Sequence, residues 1–488
     1  MRRSSVFPLA LAAFLIAGPP ALAQGARPPV APGPATLTPF QRLARTVFEE
    51  LVEINTVDSG GSTTKAAKAM AARFRAAGFP RGDVQMIIPE GKPAKGNLVV
   101  RYRGRGSPAG PKPILLLAHL DVVAANRSDW PRDPFVLHEE NGYFLGRGTA
   151  DDKAMAAMFV ASLLQMKQQG VVPDRDLILA LTADEEGGDA NGIELLLTPR
   201  YRRLIDAAYA INEGGGGTLD GNTPLFHSVQ AAEKVPVHFT LTAINPGGHS
   251  SVPRPDNAIY ALAGALTRIS QHQFPVALNA VTGPFFANTA LVEPRPAMAA
   301  AMRALTANAG DAGAAATLST DARYASMLRT SCVATRLAGG HAYNALPQLA
   351  TANVNCRIVP TSTLDETRAT LQRVIADTGI RITITVPSRE RFGVAPLAVE
   401  PELLEVTTRL TARMWGNVPI IPTMSTGATD GRFLRAAGIP TFGVSGIFSE
   451  PGENNAHGRD EKLRVKSFYE GLAFLDALVR ALAVKTRA

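Results

Sequence analysis

The stretch LILALTADEEGG, residues 177–188, joins an apolar run of strand length to two adjacent glutamates and two glycines. Continuous apolar runs of this length are typical of strands buried on both faces of an α/β sheet. Glu185 and Glu186 follow the run, and two buried carboxylates so close together repel each other unless a cation neutralises one of them. Because sites in open α/β sheets collect beyond the carboxyl ends of strands, the stretch predicts a metal site there.

Four further segments also contain side chains that can bind metal ions. They are ILLLAHLD (114–121), GRGTADDK (146–153), AINEGGGG (210–217) and ENNAHGRDE (453–461). Three of the five segments begin as apolar runs and finish in His or a carboxylate, so their polar ends should meet in one crevice. The mixture of nitrogen and oxygen donors suits zinc, and together the segments predict one dinuclear zinc site.

The residues themselves suggest a division of roles. His119 and Asp121 form a pair in which one side chain can bind a metal ion while the other orients the imidazole. A histidine at the end of a strand is also often a structural residue, which is the alternative here. Asp151 is our choice for the carboxylate that bridges two ions. A carboxylate at a helix start can also simply complement the helix dipole. Glu186 is assigned to a metal ion and Glu185 to general base catalysis, the alternative being a solvated acidic turn.

Two ligands complete the predicted site. Glu213 ends a strand and precedes four glycines, which allow a close approach of the backbone to a ligand or a neighbouring loop. His457 comes much later in the chain. A phosphate-binding loop at Gly146–Gly148 is excluded, since no Gly-Lys-Ser/Thr follows.

The totals favour a two-domain globular protein. The chain has 488 residues, of which 46% are hydrophobic and 19% charged. The net charge of +8 is spread along the sequence without runs of basic residues, so nucleic-acid binding is not predicted. Residues 1–23 have the features of a signal peptide, with Arg2 and Arg3 before an apolar segment and Ala21-Leu-Ala23 before the cleavage point. We therefore expect export to the periplasm or the medium, and no membrane-spanning segment in the mature chain.

The pattern of helices and strands divides the rest of the chain. Residues 24–37 are rich in Pro, Gly and Ala and predict a disordered leader. Strands alternating with helices over 38–234 and 393–488 predict an α/β domain with a central mixed sheet flanked by helices, and 235–392 an inserted α+β lid. The two cysteines, Cys332 and Cys356, flank a predicted hairpin, so a cross-strand disulfide and two buried thiols are both open.

The motifs AHLDVV, GRGTADDK, ADEEGG, NEGGGG and AHGRDE resemble, in this order, those of a family of di-zinc metallopeptidases and amidohydrolases. It includes glutamate carboxypeptidase, carboxypeptidase S, carnosinase, aminoacylase and succinyl-diaminopimelate desuccinylase. The resemblance covers most of residues 40–485, and WPRDPF (130–135) and GATDGRF (427–433) resemble the carboxypeptidase S branch. It implies a zinc-exopeptidase-like fold with a lid that also serves dimerisation.

The resemblance also implies roles for individual residues. Asp151 would bridge two Zn²⁺ ions, one bound by Glu186 and His457 and the other by His119 and Glu213, with Asp121 orienting His119. Co²⁺ or Mn²⁺ could replace zinc. In the lid, His249 would stabilise the oxyanion, in some members from the partner subunit. The predicted substrate-binding residues are Asn344, Arg357, Gly427 and Thr429.

These assignments predict a hydrolase that cuts a peptide or amide bond next to a free carboxylate, as a carboxypeptidase or dipeptidase does. Arg357 suits the carboxylate because its planar guanidinium can donate two hydrogen bonds. An N-acyl-amino-acid amidohydrolase has the same centre and is the alternative. A non-catalytic zinc-binding protein is a remote third, because it would not need Glu185 as a free base. The substrate would be a small peptide or an N-acyl amino acid, and a homodimer through the lid is implied.

Overall fold

The computed structural model describes residues 29–105, 110–384, 396 and 398–484. The predicted signal peptide, 1–23, lies outside the described residues, as do 24–28 of the predicted leader. Residues 29–37 contact the folded chain: Ala31 N–H donates to Asn222 Oδ1 (3.2 Å), and Asn222 Nδ2 donates to the carbonyl of Pro29 (2.9 Å). This part of the leader is thus held in place, whereas the sequence predicts disorder.

The first part of the chain alternates helices and strands, as predicted. Its first helix follows the N-cap residue Thr38, whose hydroxyl accepts from Gln41 N–H while the Gln41 side chain accepts from Thr38 N–H, which is a capping box. The elements are α1 Pro39–Glu53, α2 Thr63–Ala76, β1 Val84–Ile87, β2 Asn97–Tyr102, β3 Ile114–His119, β4 His138–Glu140, β5 Tyr143–Leu145, α3 Lys153–Gln168, β6 Leu177–Thr182, α4 Gly192–Leu196, β7 Tyr209–Asn212, β8 Gly217–Asp220 and β9 Thr223–Glu233.

The middle of the chain begins directly after β9. Its elements are β10 Val235–Ile244, β11 Gly248–His249, α5 Ala258–Gln271, α6 Thr282–Thr289, α7 Pro296–Ala307, α8 Ala312–Leu318, α9 Ala322–Leu328, β12 Ser331–Gly339, β13 Ala345–Leu346, β14 Leu349–Ile358, α10 Leu364–Ile375 and β15 Ile380–Ile384. The last part then returns to the first domain. Its elements are α11 Pro401–Trp415, β16 Ile420–Ser425, α12 Gly431–Ala436, β17 Thr441–Gly443, β18 Phe448–Ser449, β19 Lys462–Arg464 and α13 Val465–Ala483.

The larger domain is built on a mixed sheet of ten strands in the order β1-β2-β6-β3-β7-β17-β9-β8-β18, with β16 paired to β9. Strands β6, β3, β7 and β17 run parallel to one another, so their carboxyl ends lie along one edge. Helices α1, α3 and α13 pack together over the sheet, and their apolar side chains are buried with those of the strands. The α/β fold with a central mixed sheet flanked by helices is therefore confirmed.

The inserted region contains an antiparallel sheet in the order β12-β14-β10-β15. Helices α5 and α10 cover one of its faces, where Phe239, Leu241 and Val354 pack against Leu262 and Leu371. In this sheet Cys332 lies opposite Cys356, and the two form a disulfide. The structure thus selects the cross-strand bridge from the two alternatives that the sequence leaves open.

Helices α6–α9 pack separately from this lid sheet. Their apolar side chains, among them Phe286, Met302 and Leu328, form a cluster with Phe226 of β9 and Ile421 of β16. The Ala-rich segment 296–318 is helical, as predicted, but it joins the larger domain's sheet and not the lid's. Within residues 235–384, the described part of the predicted lid 235–392, the structure therefore separates a β-sheet unit from a helical unit.

Candidate metal centre

The end of β3 fixes the orientation of the first imidazole. His119 is only 2% exposed, and its Nδ1 lies 3.0 Å from the backbone carbonyl oxygen of Asp121. A carbonyl can only accept, so Nδ1 carries the proton and Nε2 faces the site. The Asp121 carboxylate is slightly farther from Nδ1, at 3.6 Å. The predicted orienting residue thus contacts His119 through both its backbone and its side chain.

Asp151 lies between two histidines. Its Oδ1 is 2.9 Å from His119 Nε2, and its Oδ2 is 3.2 Å from His457 Nε2. Burial raises the pKa of Asp151, but the two adjacent imidazoles, when protonated, outweigh this and hold the pKa below its ordinary value. One carboxylate that offers a different oxygen to each of two imidazoles has the geometry required to bridge two cations.

The turn after β6 places its two glutamates differently. Glu186 Oε2 lies 3.0 Å from His457 Nε2, while the backbone N–H of Glu186 donates to Asp121 Oδ2 (2.9 Å). Glu185 has an oxygen in a group with His119 and Glu213 whose ligand atoms all lie within 4.8 Å of one another. Glu186 is therefore engaged with His457, and Glu185 lies beside the other histidine.

Glu213 completes the arrangement from the end of β7. Its Oε1 is 3.9 Å from His119 Nε2. The glycines that follow serve the packing of the sheet, since a Cβ at Gly215 would lie 2.1 Å from the carbonyl oxygen of Gly443 on the neighbouring strand. Of the two explanations that the sequence offers for these glycines, the close approach of another segment is the observed one.

The cluster carries more negative charge than its own histidines can balance. Burial raises the pKa of Glu213 well above the ordinary value for Glu, and repulsion from Asp151 adds to the shift. Burial likewise raises the pKa of Glu185, only partly offset by His119. Asp121 Oδ1 and Asp152 Oδ2 are buried without a hydrogen-bond partner. Two divalent cations would relieve this repulsion, so the donor set fits the dinuclear centre that the sequence predicts.

The predicted lid residues His249 and Asn344 lie together on a two-stranded ribbon, a sheet of its own. His249, in β11, pairs with Ala345 of β13, and the backbone N–H of Ser250 donates to the carbonyl of Asn344 (3.1 Å). Both residues are exposed, and His249 Nδ1 contacts the hydroxyl of Ser251 in its own loop (2.7 Å). The structure therefore brings these two residues to each other.

The other predicted substrate-binding residues occupy two places. Arg357 is half-buried on β14, on the lid-sheet face opposite α5 and α10. Burial lowers the pKa of Lys234, and the charge of Arg357 adds to this effect. Gly427 is exposed in the loop after β16. Thr429, in the same loop, is buried, and its hydroxyl accepts from Asn212 Nδ2 (3.1 Å) and from Gly431 N–H (3.0 Å). Its hydroxyl therefore serves the loop's own structure here.

Asp430, in the loop that the sequence predicts to line the substrate pocket with Gly427 and Thr429, lies beside the cluster and interacts electrostatically with His119 and Glu185. Asp430 is buried and accepts from Thr182 Oγ1 (3.1 Å) and Asn191 Nδ2 (2.8 Å). Burial raises the pKa of Asp430 to about 6. Its position within GATDGRF is the only sequence signal, because no apolar strand run leads directly into it.

Together the strand-edge position, the two histidines around one aspartate and the surrounding glutamates define a metal-dependent hydrolase centre. A family model described as "Peptidase family M20/M25/M40" matches residues 115–481. The chain belongs to this family. It is a hydrolase acting on peptide or amide bonds, and its family depends on bound metal.

The chain is also similar to named proteins described as a hydrolase and as a carboxypeptidase-like protein. The chain is 27% identical over 399 residues to "N-fatty-acyl-amino acid synthase/hydrolase PM20D1" of Homo sapiens, covering 77% of this chain and 75% of that protein. It is 27% identical over 407 residues to "Probable carboxypeptidase S-like 2" of Dictyostelium discoideum, covering 79% and 74%.

Solved structures agree on the fold. The M20 family metallo-carboxypeptidase Sso-CP2 from Sulfolobus solfataricus superposes with a TM-score of 0.64 at 16% identity, covering 90% of this chain and 98% of that one. A structure described as a dinuclear metal binding peptidase of the M20 family, from Bacillus subtilis, gives a TM-score of 0.55 at 11% identity, covering 91% and 98%.

Proposed function

We propose that this protein is an exported dinuclear zinc hydrolase that cleaves the amide bond next to a free carboxylate, as a carboxypeptidase or dipeptidase does. The observation that carries the proposal is the position of Asp151, whose two oxygens lie 2.9 Å from His119 Nε2 and 3.2 Å from His457 Nε2. Such a carboxylate can serve two ions, with Glu213 on one side and Glu186 on the other.

The bound cations would polarise the substrate carbonyl and make a water molecule easier to deprotonate. Glu185 then acts as the general base. It lies beside His119 and Glu213 but, unlike Glu186, is not engaged with His457, so it is available to accept a proton from the attacking water and to return it to the leaving amine. Arg357 would hold the substrate's carboxylate with the help of Asn344 and of the loop that contains Gly427 and Thr429.

A second copy of the chain would complete the site. His249 is exposed and hydrogen-bonds within its own loop, so we assign its role in stabilising the oxyanion to a closed lid or to a partner's lid. Among the described strands, β12 pairs only with β14, and its free edge carries Val333 and Leu337, which are 58% and 70% exposed. An exposed strand edge of this kind invites pairing with another chain, which supports a homodimer through the lid.

Export is supported by two features. The first 23 residues have the pattern of a signal peptide, and the lid contains the disulfide Cys332–Cys356, a bond that persists in oxidising compartments. None of the described helices is long and apolar enough to cross a membrane. We place the mature protein in the periplasm or the surrounding medium.

The second candidate function is deacylation of N-acyl amino acids. It is favoured by the similarity to the human relative, which is described as a synthase and hydrolase of N-fatty-acyl amino acids. Both substrates present an amide next to a carboxylate, so the same centre serves either. The remote third candidate is zinc binding without catalysis. It does not explain the free carboxylate of Glu185, because a protein that only binds zinc needs no general base.

The decisive experiment compares dipeptides with N-acyl amino acids as substrates for the mature protein, before and after a chelator and again after Zn²⁺ is restored. We expect hydrolysis that the chelator abolishes and zinc restores, faster on dipeptides. Faster hydrolysis of acyl amino acids would select the second candidate. Zinc binding without hydrolysis of either dipeptides or N-acyl amino acids would overturn the assignment as an enzyme of this specificity.

A further inference from the structure

Beside the metal cluster lies a buried ion pair, Arg147 and Glu461, to which the proposed mechanism gives no role. Glu461 is fully buried and Arg147 is 2% exposed, and Arg147 Nη1 donates to Glu461 Oε2 at 2.6 Å. The two residues stand at the ends of the segments that carry the metal-facing residues Asp151 and His457. Their hydrogen bonds cross from one segment to the other.

Glu461 holds the segment that contains Asp151. Its Oε1 accepts from the backbone N–H groups of Ala150 (2.8 Å) and Asp151 (3.0 Å), and its Oε2 also accepts from Gly148 N–H (3.0 Å). A carboxylate is suited to this because it only accepts, and here each oxygen faces two donors. The backbone position of Asp151 is thus set directly by the Glu461 side chain.

Arg147 holds the other segment in return. Its Nη2 donates to the carbonyl oxygens of Gly458 (3.0 Å) and His457 (3.4 Å). His457 has a φ of 63°, a region that residues other than glycine seldom occupy, so its conformation needs support from outside the loop. The Trp130 ring lies over the guanidinium at 5.2 Å and covers it.

We propose that Glu461 and Arg147 are positioning residues that set the distance between Asp151 and His457, and thereby the affinity of the metal ion these two would share. The proposal rests on the proposed function, since it assumes that this pair binds metal. Neither residue touches substrate. Each acts through the backbone of a ligand, as outer partners of metal ligands do when they raise affinity.

The chain offers a matched control on the same segment. Glu453 forms a buried ion pair with Arg464, with Glu453 Oε1 2.6 Å from Arg464 Nη2. Its described hydrogen bonds go to Arg464, Tyr143 and Glu450 and not to the backbone of Asp151 or His457. A purely structural role for buried ion pairs predicts equal effects at Glu453 and Glu461, whereas positioning predicts a difference.

The test is titration of the metal-free full-length mature protein with Zn²⁺ in competition with a chelator, for wild type, Glu461→Gln and Glu453→Gln. We expect wild type to bind two ions, Glu461→Gln to bind at least one of them 10- to 100-fold more weakly, and Glu453→Gln to stay within about threefold of wild type. The Gln side chain would place its NH₂ group against N–H groups that now donate to Glu461, and this repulsion should displace Asp151.

A second variant covers the case in which Glu461→Gln does not fold. Arg147→Lys keeps a charge beside Glu461, but its single ammonium cannot replace the guanidinium fork that reaches His457 and Gly458, so zinc affinity should again fall at least tenfold. Wild-type affinity in Glu461→Gln or Arg147→Lys, or an equal loss in Glu453→Gln, would overturn the positioning role. A wild type that binds fewer than two ions would instead refute the dinuclear centre itself.

Discussion

The Nε2 atom of His457 lies 3.2 Å from Asp151 Oδ2, although 306 positions separate the two residues in the chain. The parallel sheet explains how this is possible. Strands β3, β6 and β7 deliver His119, the Glu185–Glu186 turn and Glu213 to one edge, and the segment before β19 returns His457 to the same place. The candidate centre is therefore a consequence of the strand order.

Glu185→Gln should retain both metal ions and lose at least about 100-fold in kcat, because the amide cannot accept the proton that a general base removes. Metal content and turnover are measured on the same preparation. The matched variant is Glu186→Gln, whose side chain faces His457 and which should lose metal as well as rate. Near-normal turnover of Glu185→Gln would remove Glu185 from the mechanism.

Leu337→Arg should convert a dimer into a monomer, because it places a charge on the exposed edge strand β12 that we expect to meet a second copy. Light scattering after size exclusion measures the mass. Val172→Arg, at a residue 42% exposed in the larger domain, serves as the control and should leave the mass unchanged. A wild-type protein that is already monomeric would contradict this interface.

Loss of the disulfide should destabilise the lid. The bridge closes a loop across a sequence separation of 24, so replacing Cys332 and Cys356 with alanine should lower the free energy of unfolding by about 2–4 kcal/mol. Urea unfolding of the double variant and of reduced wild type should give similar values. A difference below about 0.5 kcal/mol between oxidised and reduced wild type would show that the bond contributes little.

The stability of the larger domain should fall at acidic pH because of His227. Burial lowers the pKa of His227 from 6.5 to about 4, and its Nε2 contacts the carbonyl oxygen of Ser445. The unfolded chain therefore binds the proton first as the pH falls. The stability contributed by neutral His227 is complete above pH 6.5 and is lost progressively down to about pH 4, a loss of about 3 kcal/mol.

This prediction for His227 is checked by comparing how steeply the free energy of unfolding falls with pH in three proteins. The free energy of unfolding is measured from pH 7 to pH 4 for wild type, for His227→Leu and for a control, His341→Gln, at an exposed loop position. His227→Leu should fall less steeply with pH than wild type, and the control should follow wild type. Parallel curves for wild type and His227→Leu would assign the acid sensitivity to other groups.

Local sequence signals predict much of the sheet and the cluster. The runs before His119, Glu185 and Glu213 are apolar because β3, β6 and β7 are buried on both faces, and such runs can be read without knowledge of their neighbours. Strand β16, in contrast, contains Pro422, Thr423 and Ser425, and the sequence analysis does not predict it. Its strand state comes from pairing with β9, which is a tertiary effect.

The supporting groups are the least predictable part. Glu461 lies in the same motif as His457, yet its contacts with the backbone of Gly148, Ala150 and Asp151 depend on two distant segments meeting. The helices α7 and α8 are visible as Ala-rich sequence, but that composition does not show that they pack with Ile421 of the larger domain. Such contacts between distant segments form only in the tertiary structure and produce no periodic pattern in the sequence.

The proposed centre requires that two cations share Asp151, and anomalous X-ray scattering at the zinc edge from crystals of the zinc-loaded protein measures this directly. We expect two peaks on either side of the Asp151 carboxylate, one beside His119 and Glu213 and the other beside His457 and Glu186. A single peak, or two peaks of which one lies away from Asp151, would contradict the shared centre.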